Sequence, residues 1–496
     1  MIMRVASNTD PQGDSSMSGT AGGQISLLTP EDVRAIIDAA WRVLGEAGVQ
    51  VNTKTGREAF AAAGAEIDGS LVRIPRDLGE SLLERAPSAV TLYSRDGSRD
   101  CTLEAQQVHM GTGGTALYVI DPDTDRHRQS TVKDVGWCAR LCDALEQLDI
   151  FTINVFPNEI ESTDQIDSNR FYWSLQNTTK HVMGGIYSAE GLREVIEMAQ
   201  MVAGGAERLR ERPFVSFITL VISPLKIDDI YGEMTCICAQ EGLPVVVPTE
   251  PLAGTTSPVT LPANVLMHVA ETMAGVMMVQ AVNPGAPAIA GSVGSTADMR
   301  TLQHLSGPIE RGIVNAGVAQ VIQALELPLY STAGTSDAKT VDAQAAFESA
   351  LSNMLVMMSG ANYIHDSAGL MDFDLTVAYE KMVIDDEIIG MVRRVMDGVE
   401  VTDETLATDL ICSRGPGEGY MAEEHTVRHM REGRYRPAVA DRTPRAEWAE
   451  GGSRTATDRA CARALALISE DRPARLSDDL SAKIRERFPH IRDWPE

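Results

Sequence analysis

Residues 327–374 read LPLYSTAGTSDAKTVDAQAAFESALSNMLVMMSGANYIHDSAGLMDFD. Leu327 to Ser331 is a short apolar run with a proline near its start, the pattern of a buried strand. Ala333 to Lys339 is small and polar, a loop. Val341 to Ser359 carries Ala, Leu and Met at helical spacing, and Gly360 stops it. Ala361 to Ile364 is a second strand, and it runs into His365-Asp366-Ser367-Ala368-Gly369. Two parallel strands joined by one helix, each followed by a polar loop, form the repeating unit of an α/β barrel. Barrels place ligands and catalysts on the loops at the carboxyl ends of strands. The groups after Ser331 and after Ile364 are therefore expected to face one cavity.

The same alternation extends upstream. Strands are predicted at 116–120, 150–156, 181–186, 214–221, 244–248, 288–290, 327–331 and 362–364. Helices are predicted between them at 132–146, 165–177, 191–202, 228–240, 263–282, 307–324 and 341–359, and another at 377–399. Eight of each is the count for a (β/α)8 TIM barrel. The strands are mostly continuous apolar runs, as when both faces are covered. Gly111 to Gly114 reads either as a loop or as part of the first strand. Residues 1–24 read as a disordered leader. Residues 25–107 read as an N-terminal helical and β cap, in which Thr29 caps a helix beginning at Pro30. The barrel spans 108–400, and 401–496 is a C-terminal helical appendage.

The composition suits a large α/β enzyme: 496 residues, 44% hydrophobic and 23% charged. A net charge of -27 argues against nucleic acid and anionic membranes as partners. No apolar run approaches the ~20 residues that span a bilayer. The N-terminus lacks a basic-then-apolar signal pattern, so a cytoplasmic location is expected. Seven cysteines, an odd number, are read as reduced. Cys138/Cys142 and Cys236/Cys238 fall in predicted helices and read as buried small apolar residues.

Several strand-end groups can carry chemistry. Glu250 follows the fifth strand and can pair with a cation or serve as a structural hydrogen-bonding group. Asp337 and Lys339 follow the seventh strand, either lining the cavity or forming a local turn. His365 and Asp366 end the eighth. The loop 291–298 resembles a phosphate cradle but lacks the P-loop Lys and the dinucleotide spacing, which leaves close backbone approach to a ligand as the better reading. No Gly-x-Ser-x-Gly elbow is present and no cysteine sits at a predicted strand end, so a protein-borne nucleophile is poorly supported. Phe156, Tyr187, Tyr330 and Tyr363 lie near strand ends, where aromatic faces with carboxylates make a cage for a quaternary ammonium. His425 and His429 share a helical face beside Glu423 and Glu424. They lack the interior acid of HExxH, and no bound metal is expected.

Five stretches, in this order, carry a family resemblance: ISLLTPEDVRAIIDAAWRVLGEAGVQV, MGTGGTALYVIDPDTDRHRQSTVKD, PLAGTTSPVTLPANVLMHVAETMAGVMMVQAVNPGAPAIAG, YSTAGTSDAKTVDAQAAFESALSNMLVMMSGANYIHDSAGLMD and EEHTVRHMREGRYRPAVADR. Together, from Ile25 to Arg442, they resemble the trimethylamine methyltransferase (MttB-type) family. The resemblance implies a barrel that moves a methyl group from an amine to the Co(I) of a separate corrinoid-binding protein. Members acting on trimethylamine carry pyrrolysine in the cavity, whereas the region near Gly334-Thr335 is ordinary here. Members without pyrrolysine resemble demethylases of quaternary amines such as glycine betaine. On this reading Glu250, Asp337 and His365 set the field or anchor a substrate carboxylate. Phe156, Tyr187, Tyr330, Tyr363 and Asp366 hold the substrate. Gly291, Gly294, Gly334 and Gly369 let the corrin (cobalamin) approach. A homo-oligomer is expected. Two other classes stay open: a metal-dependent barrel hydrolase or lyase using His365, Asp366, His425 and His429, and a non-catalytic betaine-binding protein.

Overall fold

The computed structural model describes residues 20–430, 435–470 and 475–494. Eight strands form its centre: β1 (Gln107–Met110), β2 (Ile150–Thr152), β3 (His181–Gly185), β4 (Val215–Ile218), β5 (Val245–Thr249), β6 (Ala288–Ser292), β7 (Leu329–Thr332) and β8 (Tyr363–His365). Each pairs in parallel with the next from β2 to β8, and β8 pairs in parallel with β1. A parallel bridge between Gly111 and Ile150 joins β1 to β2, so the ring closes. The helices are α1 (Val132–Ala144), α2 (Thr163–Asn177), α3 (Ala189–Ala203), α4 (Asp229–Glu241), α5 (Leu261–Val282), α6 (Ile309–Ala324), α7 (Ala343–Ser359) and α8 (Tyr379–Met396). This is a (β/α)8 barrel, as the alternation predicts.

Local chemistry sets where the helices begin and end. Ser188, Asp228 and Asp342 accept backbone N–H bonds at the starts of α3, α4 and α7. Gly204, Gly242 and Gly360 close the same helices in the left-handed conformation, which glycine adopts without a Cβ penalty.

The first strand differs from expectation. Residues 116–120 were expected to open the ring, but β1 lies at Gln107–Met110. Tyr118–Ile120 belongs instead to an outer sheet, parallel to Thr376–Ala378 and antiparallel to His127–Gln129. The turn through Gly111 to Gly114 carries the chain off the barrel between them. The leader expected over 1–24 lies outside the described residues up to 19. Beyond that, Thr20–Ala21 pairs antiparallel with β1.

Inside the ring, Ile150, Met183, Val246, Ile289, Tyr330 and Tyr363 pack into one layer. The antiparallel hairpin Val90–Leu92 and Cys101–Leu103 packs against the same layer through Val90, Leu92, Cys101 and Leu103. This hairpin runs into β1 at its amino end, so it closes the floor of the barrel. The mouth lies at the opposite, carboxyl end.

The helix Pro30–Arg42 starts at Thr29 in a capping box with Asp32, as its Thr-Pro start predicts. With Lys54–Ala63 and Arg76–Leu83 it packs on α5. By length and composition α5 alone, among the described helices, is apolar enough to cross a membrane, contrary to the sequence reading. Its most apolar window is 78% buried inside the protein, and it serves as the core helix between barrel and cap. At the other end of the chain, Ala456–Ser469 packs on α1 and α8, and Asp478–Arg487 packs on α3.

Candidate active site at the barrel mouth

Along each inward-facing strand the side chains two residues above the floor layer point to the mouth. His365 stands above Tyr363, and Thr332 above Tyr330. His365 is buried; its Nδ1 lies 2.6 Å from the Ser331 carbonyl and its Nε2 3.0 Å from Asp366 Oδ2. Its ring stacks on Tyr330 with centroids 4.0 Å apart. Asp366 sits at φ 59, a left-handed conformation that costs a non-glycine residue about 1–2 kcal/mol. In that conformation its carboxylate lies between His365 Nε2 and Arg311 Nη2, at 3.0 and 3.9 Å.

The centre of the mouth is a charge cluster around Arg311. This arginine occupies the first turn of α6 and is buried. Its Nη1 lies 2.9 Å from Asp374 Oδ2 and donates to Thr335 Oγ1 at 2.7 Å, and its Nη2 is 3.9 Å from Asp366 Oδ2. His304 Nε2 lies 3.3 Å from the same oxygen of Asp374. Burial works against the charge on Arg311, but Asp374, Asp366 and Glu250 outweigh it and hold its pKa above the ordinary value. Burial likewise opposes ionised Asp374, and Arg311 and His304 overcome it, so its carboxyl titrates low. Asp372, Phe373 and Asp374 run at φ 54, 60 and 66. Three consecutive left-handed L-residues are rare, and strain of this kind persists only where surrounding contacts hold it. The grip of Arg311 and His304 on Asp374 is such a contact.

Glu250 follows β5 on the face of Val246 and accepts a bond from Ser295 Oγ at 3.1 Å. It is open to solvent within the mouth yet enclosed by protein. Enclosure raises its carboxyl above the usual carboxylate range, and Arg311 and His304 only partly offset this. Tyr330 lies near both acids: burial, then Asp366, raises its phenol far above the ordinary value, with Glu250 adding to the effect.

Within this cluster several buried polar atoms have no hydrogen-bond partner: Arg311 Nε and Nη2, Asp366 Oδ1, Asp374 Oδ1 and Ser331 Oγ. Unsatisfied buried groups each cost about 1–3 kcal/mol, so such a concentration points to a site completed by ligand or water.

Other expected residues fall elsewhere. Tyr363 is fully buried in the floor layer, its hydroxyl 2.6 Å from Thr152 Oγ1 and donating to the Thr112 carbonyl, so it fills the barrel rather than facing a cation. Phe156 and Tyr187 meet edge to face at 5.5 Å and pack with Val132, Ile160 and Ile166. No described ring contact joins that pair to Tyr330 and His365. Asp337 accepts from the Ser306 N–H and Oγ at 2.8 and 3.0 Å, which ties two loops together. Lys339 lies 3.4 Å from the Phe373 ring centroid, on the outer side of the same turn.

The glycines expected to admit a corrin are crowded by the protein. A Cβ on Gly334 would stand 2.5 Å from Ser367 Cα, one on Gly291 2.4 Å from Pro248 Cα, and one on Gly369 2.4 Å from Met382 Cγ. On Gly294 it would stand 3.1 Å from the Arg311 carbonyl. His425 and His429 sit on the exposed helix Glu424–His429, apart from His365 and Asp366 at the end of β8. No described cysteine stands at a barrel strand's carboxyl end. Burial pushes the thiols of Cys142 and Cys236 up to about 12. Arg311, His304 and Asp374 were missed from the sequence; the one available signal was an arginine opening an otherwise apolar helix.

Residues 5–490 match the family model described as trimethylamine methyltransferase (MTTB). The chain belongs to this family. It is therefore an MTTB-family methyltransferase, and the hydrolase reading falls. Trimethylamine methyltransferase MttB of Desulfitobacterium hafniense (strain DSM 10664 / DCB-2) is 33% identical over 474 residues, covering 95% of each chain. Glycine betaine methyltransferase of Desulfitobacterium hafniense (strain Y51) is 28% identical over 464 residues, covering 93% of this chain and 96% of that one. Trimethylamine methyltransferase MttB of Methanosarcina barkeri (strain Fusaro / DSM 804) is 30% identical over 456 residues, covering 91% of each. MTTB relatives with two different amines in their names thus stand at similar distances, and the choice of substrate rests on this chain's own mouth.

Proposed function

We propose that this MTTB-family chain takes a methyl group from a zwitterionic quaternary amine of the betaine class and passes it to the Co(I) of a corrinoid carried by a partner protein. The observation that carries the reading is Arg311, buried in the mouth with Nε and Nη2 unpartnered among Glu250, Asp366 and Asp374. Trimethylamine offers nothing to an arginine. A betaine has an anionic end for Arg311, in the bidentate geometry a guanidinium favours, and a cationic end for Glu250, Asp366 and Asp374.

In the reaction the N–CH3 bond breaks with its electron pair left on nitrogen, and the methyl group is captured by an external pair of electrons. The Co(I) corrinoid supplies that pair, which accords with the lack of a thiol at the strand ends. A quaternary nitrogen leaves as a neutral tertiary amine, so no proton has to be delivered to it. Its positive charge fades as the bond stretches. Acids beside it therefore hold the substrate more than they speed the step, and acceleration comes from aiming the methyl group outward and excluding water. The Arg311 grip on one end and the Tyr330–His365 stack at the other fix that direction.

Exposed apolar side chains that follow the barrel strands support partner docking at the mouth. Leu117, Ile230, Val259, Met299, Leu302 and Leu375 are 39–63% exposed and follow β1, β4, β5, β6 and β8. Apolar patches of this kind mark interaction surfaces.

The test mixes the protein with reduced cobalamin and, separately, glycine betaine, choline and trimethylamine, and follows loss of the Co(I) absorption. Glycine betaine should be demethylated and trimethylamine should not. Choline, which has the cation without the carboxylate, should react poorly. Trimethylamine turnover with inert betaines would overturn the reading, as would betaine binding without any methyl transfer.

A further inference from the structure

Residues 399–430 fold as three short helices, Asp403–Leu406, Thr408–Arg414 and Glu424–His429, and none of them buries a residue. Leu406, Ile411, Met421, Val427 and Met430 are 51–92% exposed. Without apolar burial, the hydrophobic effect does little to hold these helices at fixed angles against chain entropy. The polar ties are an ion pair between Arg414 and Glu423 and another between Arg428 Nη1 and Glu404 Oε1 at 3.0 Å. Exposed pairs of this kind contribute about 0–1 kcal/mol.

At the junction of the first and third helices stands a group of different chemistry. His425 and His429 are four residues apart on one helical face, with ring centroids 4.5 Å apart. Glu404 faces them from the other helix. His429 Nε2 lies 3.2 Å from Glu404 Oε1, and His425 Nε2 lies 3.1 Å from the Glu404 carbonyl. One ligand atom from each of the three residues can be chosen so that all lie within 4.8 Å of one another. Glu404 and His425 border a cleft of about 610 Å³ that also touches Asp403, Glu423 and Glu424. The sequence pattern around His425 and His429 lacked an interior acid; the fold brings one in from 21 residues before His425.

We propose that Glu404, His425 and His429 bind a divalent transition-metal ion of the zinc class, which pins the Asp403–Leu406 helix to the Glu424–His429 helix. Two imidazoles and a carboxylate suit zinc, and with metal–ligand bonds of about 2.0–2.1 Å the ligand atoms of a tetrahedral site stand about 3.3 Å apart. The His429–Glu404 separation already meets this. His425 reaches it by releasing the Glu404 carbonyl and turning about its side-chain torsions. Water takes the fourth position. Both rings ligate through neutral Nε2, with the proton on Nδ1, so binding weakens in acid. Arg428 gives up Glu404 Oε1 and keeps Glu424, whose Oε1 lies 4.0 Å from its Nε. The ion lies on the appendage and takes no part in methyl transfer.

The test uses the full chain without an affinity tag. Equilibrium dialysis against Zn(II) should give one ion per chain, and Co(II) in its place should show the intense visible bands of a tetrahedral site. His425→Ala and His429→Ala should each abolish both signals, and Glu404→Gln should weaken them. All three residues are at the surface, so the variants fold. Zn(II) should slow proteolytic cutting within 399–430 in the wild type and not in the histidine variants, and chelator should reverse the protection. Failure to bind stoichiometric zinc, or binding that survives loss of both histidines, would overturn the proposal.

Discussion

Two buried charge clusters lie at the barrel's carboxyl end, and they are finished differently. Behind the loops, Lys381 and Asp385 of α8 are each about 1% exposed and 2.7 Å apart. Lys381 Nζ donates to the Gly334 carbonyl at 2.8 Å, and Asp385 accepts from the Gly369 N–H at 2.8 Å and from Ser349 Oγ at 2.6 Å. Neither side chain has a buried atom without a partner. In the mouth, Arg311 and Asp366 are nearly as deeply set and Asp374 is half-buried, and the three keep four such atoms among them. The closed cluster ties the Gly334 and Gly369 loops to α8; on the proposed function, the open one is where the substrate's charged ends would be met. A buried ion pair is expensive either way, so leaving one incomplete is costly unless something binds there.

That contrast can be broken at several points. The largest effect is expected from Lys381→Ala, which strands Asp385 and releases the Gly334 loop. It should cost about 3–5 kcal/mol of stability in urea titrations, while replacing both partners with apolar residues (Lys381→Met with Asp385→Leu) should recover most of it. Arg311→Gln should behave in the opposite way: a smaller loss of stability, but a fall in kcat/KM for glycine betaine of about a hundredfold. Its turnover of choline should hardly change, because choline has no carboxylate to lose. Equal losses for both substrates would mean that Arg311 supports the fold and not the anion. Tyr330→Leu removes the ring on which His365 stacks and should raise KM for glycine betaine by about tenfold or less, with Tyr330→Phe close to wild type.

The smallest effect concerns pH. Glu250 titrates above the ordinary carboxylate range because enclosure disfavours its charge. If Glu250 holds the cation as proposed, it does so ionised, and KM for glycine betaine should climb as pH falls, beginning above the pH where an ordinary glutamate would protonate. In Glu250→Gln that slope should vanish and KM should stay at its high, low-pH value. A slope that persists in the variant assigns the titration to another group.

The barrel was legible because continuous apolar runs and helical periods alternate with few interruptions from Ile150 onward. Its first strand was not. Gln107-Val108-His109-Met110 is half polar, since His109 lies 3.1 Å from the Thr102 carbonyl of the hairpin below. Glu250, His365, Asp366 and Tyr330 could be picked out because they sit in or just past a strand, where position alone gives direction. Tyr363 shares that signal and pairs in register with Tyr330, but its hydroxyl is tied to Thr152 and the Thr112 carbonyl, long-range contacts that sequence spacing does not encode. Asp374 reaches the mouth through a left-handed turn, Arg311 from the start of a helix and His304 from a loop edge. Each depends on long-range packing that no local pattern reveals.

The hairpin under β1 has a consequence for the order of events. With the hairpin flooring the barrel, the proposed substrate would enter from the carboxyl end, and a corrinoid protein seated on the apolar rim would block it. The amine must then board first, and its demethylated remnant can depart only once the acceptor has lifted away. Steady-state kinetics should accordingly show a compulsory sequence, with an excess of acceptor slowing turnover by trapping the spent amine inside.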